Sequence, residues 1–559
     1  MINQRDAIID NGEAAFMQRA SLRGHLGYRC LRELASRPSH VLVVDLTKDR
    51  RDLNCGKLLA VALALSRRWR KSIPGKRVGV VFPAGLGSFV TNLALLLADK
   101  VPVNLNFTSG RAALEASLRK AGISTIISTA AVKEKFPDFP WTTHLLDLLT
   151  ERESVGKASI LGWLMAARML PASLTARLAG VPKLGGEQEA TILFSSGSSG
   201  DPKGVVLSHR NLIGNCEQII ECGLLNPSET MLGCLPTFHS FGFTVTLLYP
   251  MISGMRVVTV PSPLDTKRIA QAIQDEKITV MVGAPTFLRP YLKRATPEQL
   301  SSLKLVVAGA EKTPAGFGDL WEQTFGSTYL EGYGLTETSP VACVNLPERA
   351  SPDRTRTLPP ASLRGSVGQL FPGMSARIVD PGSGKGRKHN EVGMLELRGP
   401  NIFRGYLDDP HLTDTVFRGN WFITGDLARI DDAGYIHIEG RVSRFSKIGG
   451  EMVPHGTVES AINSVYALED SEQPQVAVTG VTDPQKGEAL VLLTTFDIDP
   501  QQLRSRLIGA GLPNLWIPRR IQHVDHIPML ASGKLDLRTV AETAKESANG
   551  PENEGDGRE

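Results

Sequence analysis

The stretch from Thr191 to Asn211, TILFSSGSSGDPKGVVLSHRN, holds the residue types best suited to chemistry. An apolar, β-branched run enters Ser195-Ser196-Gly197-Ser198-Ser199-Gly200, and Asp201-Pro202-Lys203-Gly204 follows. Small residues let backbone N–H groups approach phosphate oxygens, the hydroxyls add donors, and Lys203 supplies a point charge. The spacing predicts a loop that binds a polyphosphate. It is not a Walker A loop, because Pro202 stands where that motif needs its second glycine and Gly204 follows the lysine in place of Ser or Thr. A flexible Ser/Gly linker is the competing reading, and the apolar flanks argue against it.

Elements of matching type surround this loop. Short apolar runs such as Arg77 to Pro83, Ser124 to Thr129, Ile278 to Gly283 and Leu303 to Ala310 alternate with longer helical patterns. Continuous apolar runs suit strands buried on both faces, so α/β layers with largely parallel sheets are expected. The 559 residues exceed the roughly 250 to 300 at which one core stops growing, so more than one domain is required. Beyond about Arg444 the elements shorten: a helix near Thr457 to Val465, strands near Val476 and Leu490 to Phe496, and a helix from Pro500 to Ile508. These suit a small α+β domain at 444–546 after a large domain at 1–443, with 547–559 as a disordered tail.

Composition excludes several classes. A net charge of +4 is too small for a general polyanion-binding face, so nucleic acid is not expected as a partner. The six cysteines show no zinc spacing and read as buried small apolar residues in a reducing, cytoplasmic setting. The N-terminus is no secretory signal, since Asp6 and Asp10 interrupt any apolar core. Thr230 to Met255 is free of charge but is broken by Pro236, Pro250 and three glycines, which favours core helix and strand over a membrane span. Ile160 to Leu178 is apolar and basic without an acidic residue. Trp163 with Arg168 and Arg177 would suit peripheral contact at the inner membrane face, against the plainer reading of an amphipathic surface helix or an insertion.

The Ser/Gly loop resembles the phosphate-loop signature of the adenylate-forming superfamily, which includes acyl-CoA synthetases, luciferases and the adenylation domains of peptide synthetases. An ordered series of motifs extends the resemblance from about residue 20 to 540. The implied fold is a large N-terminal domain of layered α/β subdomains with a small mobile α+β C-terminal domain. LPTFHSFGFT (Leu235 to Thr244) looks like the segment beside the carboxylate pocket, placing His239 and Phe241 near the acyl group. Amino-acid-activating relatives carry an Asp in this neighbourhood to pair the substrate ammonium, so His239 disfavours an amino-acid substrate. VVAGAEK (Val306 to Lys312) resembles the loop whose Gly309 and Ala310 border adenine and the acyl pocket. In EGYGLTETSP (Glu331 to Pro340) the resemblance implies that Tyr333 stacks on adenine, Thr336 contacts the α-phosphate and Glu337 holds Mg²⁺. Asp426 is implied to accept from both ribose hydroxyls, with Arg441 beside it, and Asp431 to Gly434 also reads as a hairpin turn.

Three positions after Arg441, Arg444 replaces the commoner Asp or Lys of the hinge. Gly449 and Gly450 match the loop that faces the thiol channel, where glycine permits close approach of a pantetheine arm. In MLASGKLDLRT, Lys534 matches the lysine that contacts the substrate carboxylate and ATP phosphates. The resemblance thus implies a ligase using ATP and Mg²⁺, with Lys534, Glu337, Thr336 and Lys203 handling charge. It would convert a long-chain fatty acid to acyl-AMP and pass the acyl group to a pantetheine thiol. VAGAEK, EGYGLTE, GRVSRFSKIGGEMV and DPQKGEALVLLTT look closest to the synthetase half of bacterial acyl-acyl-carrier-protein synthetase/2-acylglycerophosphoethanolamine acyltransferase. Acyl carrier protein is then the expected acceptor, with coenzyme A as the alternative and a non-catalytic acyl-binding, membrane-associated protein as the second. The acyltransferase signature H-x-x-x-x-D occurs only from His40 to Asp45, around the strand-like VLVV, and reads as chance.

Overall fold

The computed structural model describes residues 7–142, 144–195, 202–347, 361–448, 451–468, 471, 473–483, 487–529 and 535–548. Among these, strands gather into four sheets. The first has nine strands, in the order Gln369–Leu370, Val341–Val344, Thr328–Gly334, Leu305–Ala308, Val280–Gly283, Thr230–Gly233, Arg256–Thr259, Val41–Asp45 and Arg51–Asn54. Its central pairings are parallel and its outer ones antiparallel. The second runs Gly405–Tyr406, Lys203–Ser208, Glu189–Ser195, Val101–Asn104, Arg77–Val80, Thr125–Ser128 and His144–Asp147, parallel except at the first two pairings. The apolar runs that suggested doubly covered strands are buried along nearly their whole length.

The third sheet departs from the expectation of largely parallel pairing. Ile8–Asp10, Ser375–Val379, Gly393–Arg398, Trp421–Ile430, Phe417–Arg418 and Ile436–Arg441 pair only antiparallel. Two of these pairings are joined by short reversals, at Arg418 to Trp421 and Ile430 to Ile436, and a short reversal can join only antiparallel neighbours. Asp431 makes one such turn, its Oδ1 accepting from the Ala433 N–H at 3.0 Å while Gly434 N–H bonds to Asp431 C=O at 3.0 Å.

The fourth sheet joins Glu451–Pro454, Phe445–Ile448, Gly487–Thr494, Val476–Asp483 and Arg520–His523. Alternation splits its apolar side chains between two faces. Val476, Val478, Leu490 and Leu492 pack with helices His455–Val465 and Pro500–Gly509, while Ala477, Val481, Val491 and Leu493 pack with Val540 and Ala544. Helix Leu537–Ala548 runs two residues into the segment expected as tail, a shift within the usual fraying of helix ends, and 549–559 lie outside the described residues.

All six cysteines are buried thiols outside any disulfide. His40 to Asp45 is no acyltransferase motif, for Val41–Asp45 is a sheet strand and Asp45 Oδ1 is taken up by Thr47 Oγ1 at 2.6 Å and Thr259 Oγ1 at 3.0 Å. Within Thr230 to Met255 lie the strand Thr230–Gly233, a π-helical segment Gly242–Leu248 and the helix Tyr249–Ser253. Ile160 to Leu178 forms two helices, Lys157–Met169 and Ala172–Ala179, broken at Pro171. Trp163 does not face outward as the interfacial reading required: it packs into the core with Ala167, where the helix meets Cys55–Ser72. No helix among the described residues is long and apolar enough to cross a membrane.

Candidate active site

The Ser/Gly segment joins two antiparallel strands, Glu189–Ser195 and Lys203–Ser208, in which Ser195 lies opposite Lys203. Ser196, Gly197, Ser198, Ser199 and Gly200 lie outside the described residues. Both flanking residues, Ser195 and Lys203, line a cavity of about 1400 Å³. The second strand feeds helix His209–Cys222 through a capping box: Ser208 Oγ accepts the Asn211 N–H at 3.2 Å and Asn211 Oδ1 accepts the Ser208 N–H at 2.8 Å. The same Asn211 amide donates to Pro400 C=O (2.8 Å) and Ile402 C=O (2.6 Å), and Asn215, one turn on, donates to Val341 C=O (2.7 Å). Asn401 returns a bond to Thr338 C=O at 2.8 Å. One buried helix face therefore fixes the two-strand hairpin that ends in Ser195 and Lys203 relative to the loops around residues 338 and 402.

Thr336 and Glu337 stand on the 3₁₀ turn Thr336–Thr338, directly after strand Thr328–Gly334. Only glycine fits at 334, where a Cβ would lie 1.9 Å from Pro340 O. Glu337 Oε1 accepts a hydrogen bond from the Tyr406 hydroxyl at 2.8 Å, and Lys203 Nζ stands 5.5 Å from the Tyr406 ring centre. Burial, then the Glu337 charge, pushes the Tyr406 phenol well above its ordinary range, so it stays protonated as a donor. Ser240 Oγ donates to Thr336 Oγ1 at 3.4 Å, tying the His239 segment to this turn. Glu337 Oε2 has no hydrogen bond among the described residues, and Glu337 lines the cavity. A single carboxylate with a free oxygen suits Mg²⁺, which commonly takes one or two carboxylates together with substrate phosphates. No group of three or more His, Cys, Asp or Glu that could hold a metal by itself occurs among the described residues.

Tyr333, Asp426 and Arg441 form a second cluster. Asp426 and Arg441 are register partners in adjacent strands; Arg441 Nε reaches Asp426 Oδ1 at 3.2 Å and the Tyr333 hydroxyl donates to Asp426 Oδ2. Burial raises the Asp426 carboxyl above its ordinary value, while the Arg441 charge and the Tyr333 hydrogen bond pull it back. Each oxygen has one protein donor, which leaves lone pairs for a vicinal diol. Tyr333 and Arg441 line the cavity, with Asp426 behind them.

At the other end the wall is apolar. His239 is exposed to the cavity with its ring 4.7 Å from that of Phe238, and Phe241, Gly309 and Ala310 lie beside it. A Cβ on Gly309 would come 3.8 Å from the Phe241 ring, so the missing side chain widens the passage between them. The cavity continues among Ile219, Leu224, Leu225, Leu235, Val245 and Val307, all buried. Phe241 leads straight into the π-helical Gly242–Leu248, whose irregular winding is a recurrent feature of functional sites.

Ser195, Lys203, His239, Phe241, Gly309, Ala310, Tyr333, Thr336, Glu337 and Arg441 are thus brought to one cavity. Arg444 is not among its lining residues: it donates to Val478 C=O at 3.2 Å and pairs with Glu459, so its side chain belongs to the fourth sheet. Gly449, Gly450 and Lys534 lie outside the described residues. Tyr406, Ser240 and the asparagines 211, 215 and 401 escape sequence reasoning. The signal nearest to them is the pair of amides on one helix face immediately after strand Lys203–Ser208.

A family model described as "AMP-binding enzyme" matches residues 31–407. The long-chain-fatty-acid–CoA ligase of Bacillus subtilis is 27% identical over 511 residues, covering 85% of this chain and 86% of that protein. The feruloyl-CoA synthase of an Amycolatopsis species is 29% identical over 474 residues, covering 83% and 87%. ATP-bound MatB from Rhodopseudomonas palustris superposes with a TM-score of 0.73 at 25% identity, over 93% of this chain and 99% of that one. The o-succinylbenzoate CoA synthetase of Bacillus subtilis in complex with its acyl-adenylate gives 0.71 at 20% identity, over 92% and 98%, a likeness of fold. The mixed α/β architecture is that of the adenylate-forming enzymes, and the chain belongs to the AMP-binding enzyme family.

Proposed function

We propose that this enzyme is an acid–thiol ligase that activates a long-chain fatty acid with ATP. One observation carries the reading: a single cavity joins a cationic, hydroxyl-lined end at Ser195, Lys203, Thr336 and Glu337 to an apolar interior at Ile219, Leu224 and Leu225. Its volume of about 1400 Å³ exceeds the ~300 to 1,000 Å³ of a pocket for one small ligand, leaving room for a nucleotide and an alkyl chain together. His239 stands where amino-acid-activating relatives carry an Asp to pair the substrate ammonium, which argues against an amino acid.

In the first step a carboxylate oxygen of the acid attacks the α-phosphorus of ATP, the bond to the bridging oxygen breaks, and pyrophosphate leaves. Lys203, Thr336 and Lys534 neutralise and orient the phosphate oxygens, while Tyr333, Asp426 and Arg441 hold the nucleoside. Glu337, held by Tyr406, is the residue to bind Mg²⁺, which would supply Lewis-acid neutralisation of the phosphates. In the second step the small domain from residue 444 turns, Lys534 withdraws, and the Gly449-Gly450 loop lines the path of a pantetheine thiol. Sulfur attacks the acyl carbon, the carbon–oxygen bond to phosphate breaks, AMP leaves and the thiol proton passes to solvent.

The motif resemblance favours acyl carrier protein as the acceptor, and the names of the CoA-ligase relatives favour coenzyme A as the second reading. Mass analysis of products with each thiol separates them: acyl carrier protein acylated in preference to coenzyme A supports the first, and the reverse supports the second.

A further inference from the structure

We propose that helices Lys157–Met169 and Ala172–Ala179 form a docking surface for an anionic phospholipid bilayer. With Trp163 and Ala167 turned into the core, the opposite face is apolar and uncovered. Leu161, Met165 and Met169 recur every fourth residue, which puts them in one stripe, and they are 59%, 47% and 71% exposed. Leu174 and Leu178 repeat the pattern on the second helix, both exposed. Five large exposed apolar side chains within 18 residues are far from the scattered singles of an ordinary surface.

The charge around this stripe selects the occupant. From Ser154 to Gly186 there is no Asp or Glu, while Lys157, Arg168, Arg177 and Lys183 are all exposed. None of the four has an acidic partner among the described residues. Where helix Cys55–Ser72 meets Lys157–Met169 lies an open cavity of about 530 Å³ lined by Arg67, Lys71, Ser72 and Ser159 among others. Arg67 and Lys71 are likewise exposed and unpaired among the described residues, whereas Arg68 on the same rim is neutralised by Glu151 at 2.9 Å. Free cations and hydroxyls in a concavity fit a lipid phosphate, and the exposed stripe with Lys157, Arg168 and Arg177 around it fits the boundary between headgroups and acyl chains. A protein partner would need acidic groups facing the cations around an apolar centre; a bilayer surface supplies both layers everywhere.

The geometry also distinguishes lying on a membrane from crossing it. Neither helix spans, so the surface is a reversible anchor that combines a shallow apolar insertion with a few charges. It would hold the enzyme where a long-chain acid is most concentrated. Binding to vesicles makes no use of acid activation, so this proposal and the ligase reading fail separately.

Flotation of the full chain with phosphatidylcholine vesicles, with and without phosphatidylglycerol, tests it. Wild type is expected to float with the anionic vesicles and stay behind with the neutral ones. M165D/M169D and R67Q/K71Q should each lower the floated fraction, the first at least about tenfold. Unchanged thermal melting would show that the variants are folded. A wild type that fails to float, or floats equally with both vesicles, would overturn the proposal. So would an M165D/M169D variant that floats like wild type, or one that merely converts a self-associated chain to monomer, which would assign the stripe to a second copy.

Discussion

The Tyr406 hydroxyl donates a 2.8 Å hydrogen bond to Glu337 Oε1, across 69 residues of sequence. It holds one oxygen of a carboxylate that lines the cavity, and it places an aromatic ring 5.5 Å from the Lys203 ammonium. In the proposed reaction Tyr406 would therefore be a positioning residue for Glu337, with its ring beside Lys203. Tyr406→Phe should leave the ring and remove the donor, so kcat is expected to fall about 10- to 100-fold, the worth of a hydrogen bond to a charged group. Titrating Mg²⁺ in an ATP–pyrophosphate exchange assay checks the mechanism of the loss: excess Mg²⁺ should recover part of the rate in Y406F and none in Glu337→Ala.

Asp426 is a buried carboxylate with one donor on each oxygen, and in the proposed reaction its remaining lone pairs would receive the ribose hydroxyls. Asp426→Asn should raise KM for ATP by about 10- to 100-fold, because hydrogen bonds to a charged acceptor are replaced by weaker ones. The penalty should shrink with 2′-deoxy-ATP, which already lacks one of the two hydroxyls. Comparing the two nucleotides on wild type and variant separates this role from a loss of folding.

Gly309 sets the width between the Phe241 ring and the loop Val306 to Lys312. An alanine Cβ would meet Gly332 O at 3.4 Å and Phe241 at 3.8 Å, ordinary contact distances. Gly309→Ala should therefore keep most activity, while Gly309→Leu fills the passage. The expected result is a shift of kcat/KM toward shorter acids in G309L, read across a series of chain lengths.

His209 and His455 are buried neutral. Burial is the main cause at both, with the His25 charge adding at His209 and the Arg444 charge at His455, and each is pushed down to about 3. An unfolded histidine titrates near 6.5, so between pH 6.5 and about 3 the unfolded chain binds more protons and stability rises with pH. Each histidine should remove roughly 1 kcal/mol per pH unit as pH falls below about 6.5. Thermal melting from pH 7.5 to 5 should show Tm falling, with a shallower slope in His455→Gln.

Much of this was readable along the chain, and the reason is contiguity. Ser195, Lys203, Tyr333, Glu337 and Asp426 sit in short runs whose residue types serve one another within a turn or a strand. The parallel strands were legible too, since burial on both faces leaves unbroken apolar runs such as Val280–Gly283. What escaped depends on distant partners. Tyr406 acquires its role only when strand Gly405–Tyr406 pairs with Lys203–Ser208, and Asn211 acquires its own when residues 400 and 402 arrive, 189 and 191 positions away. Trp163 misled for the same reason: an aromatic beside arginines reads as interfacial until helix Cys55–Ser72 is seen to cover it.

The central claim, that one cavity joins ATP to a long-chain acid, is tested most directly by ATP–pyrophosphate exchange over a panel of carboxylic acids. Exchange is expected to require a long-chain fatty acid and to collapse in Lys534→Ala. Wild type that shows no exchange with any chain length, or exchange supported only by amino acids, would contradict it.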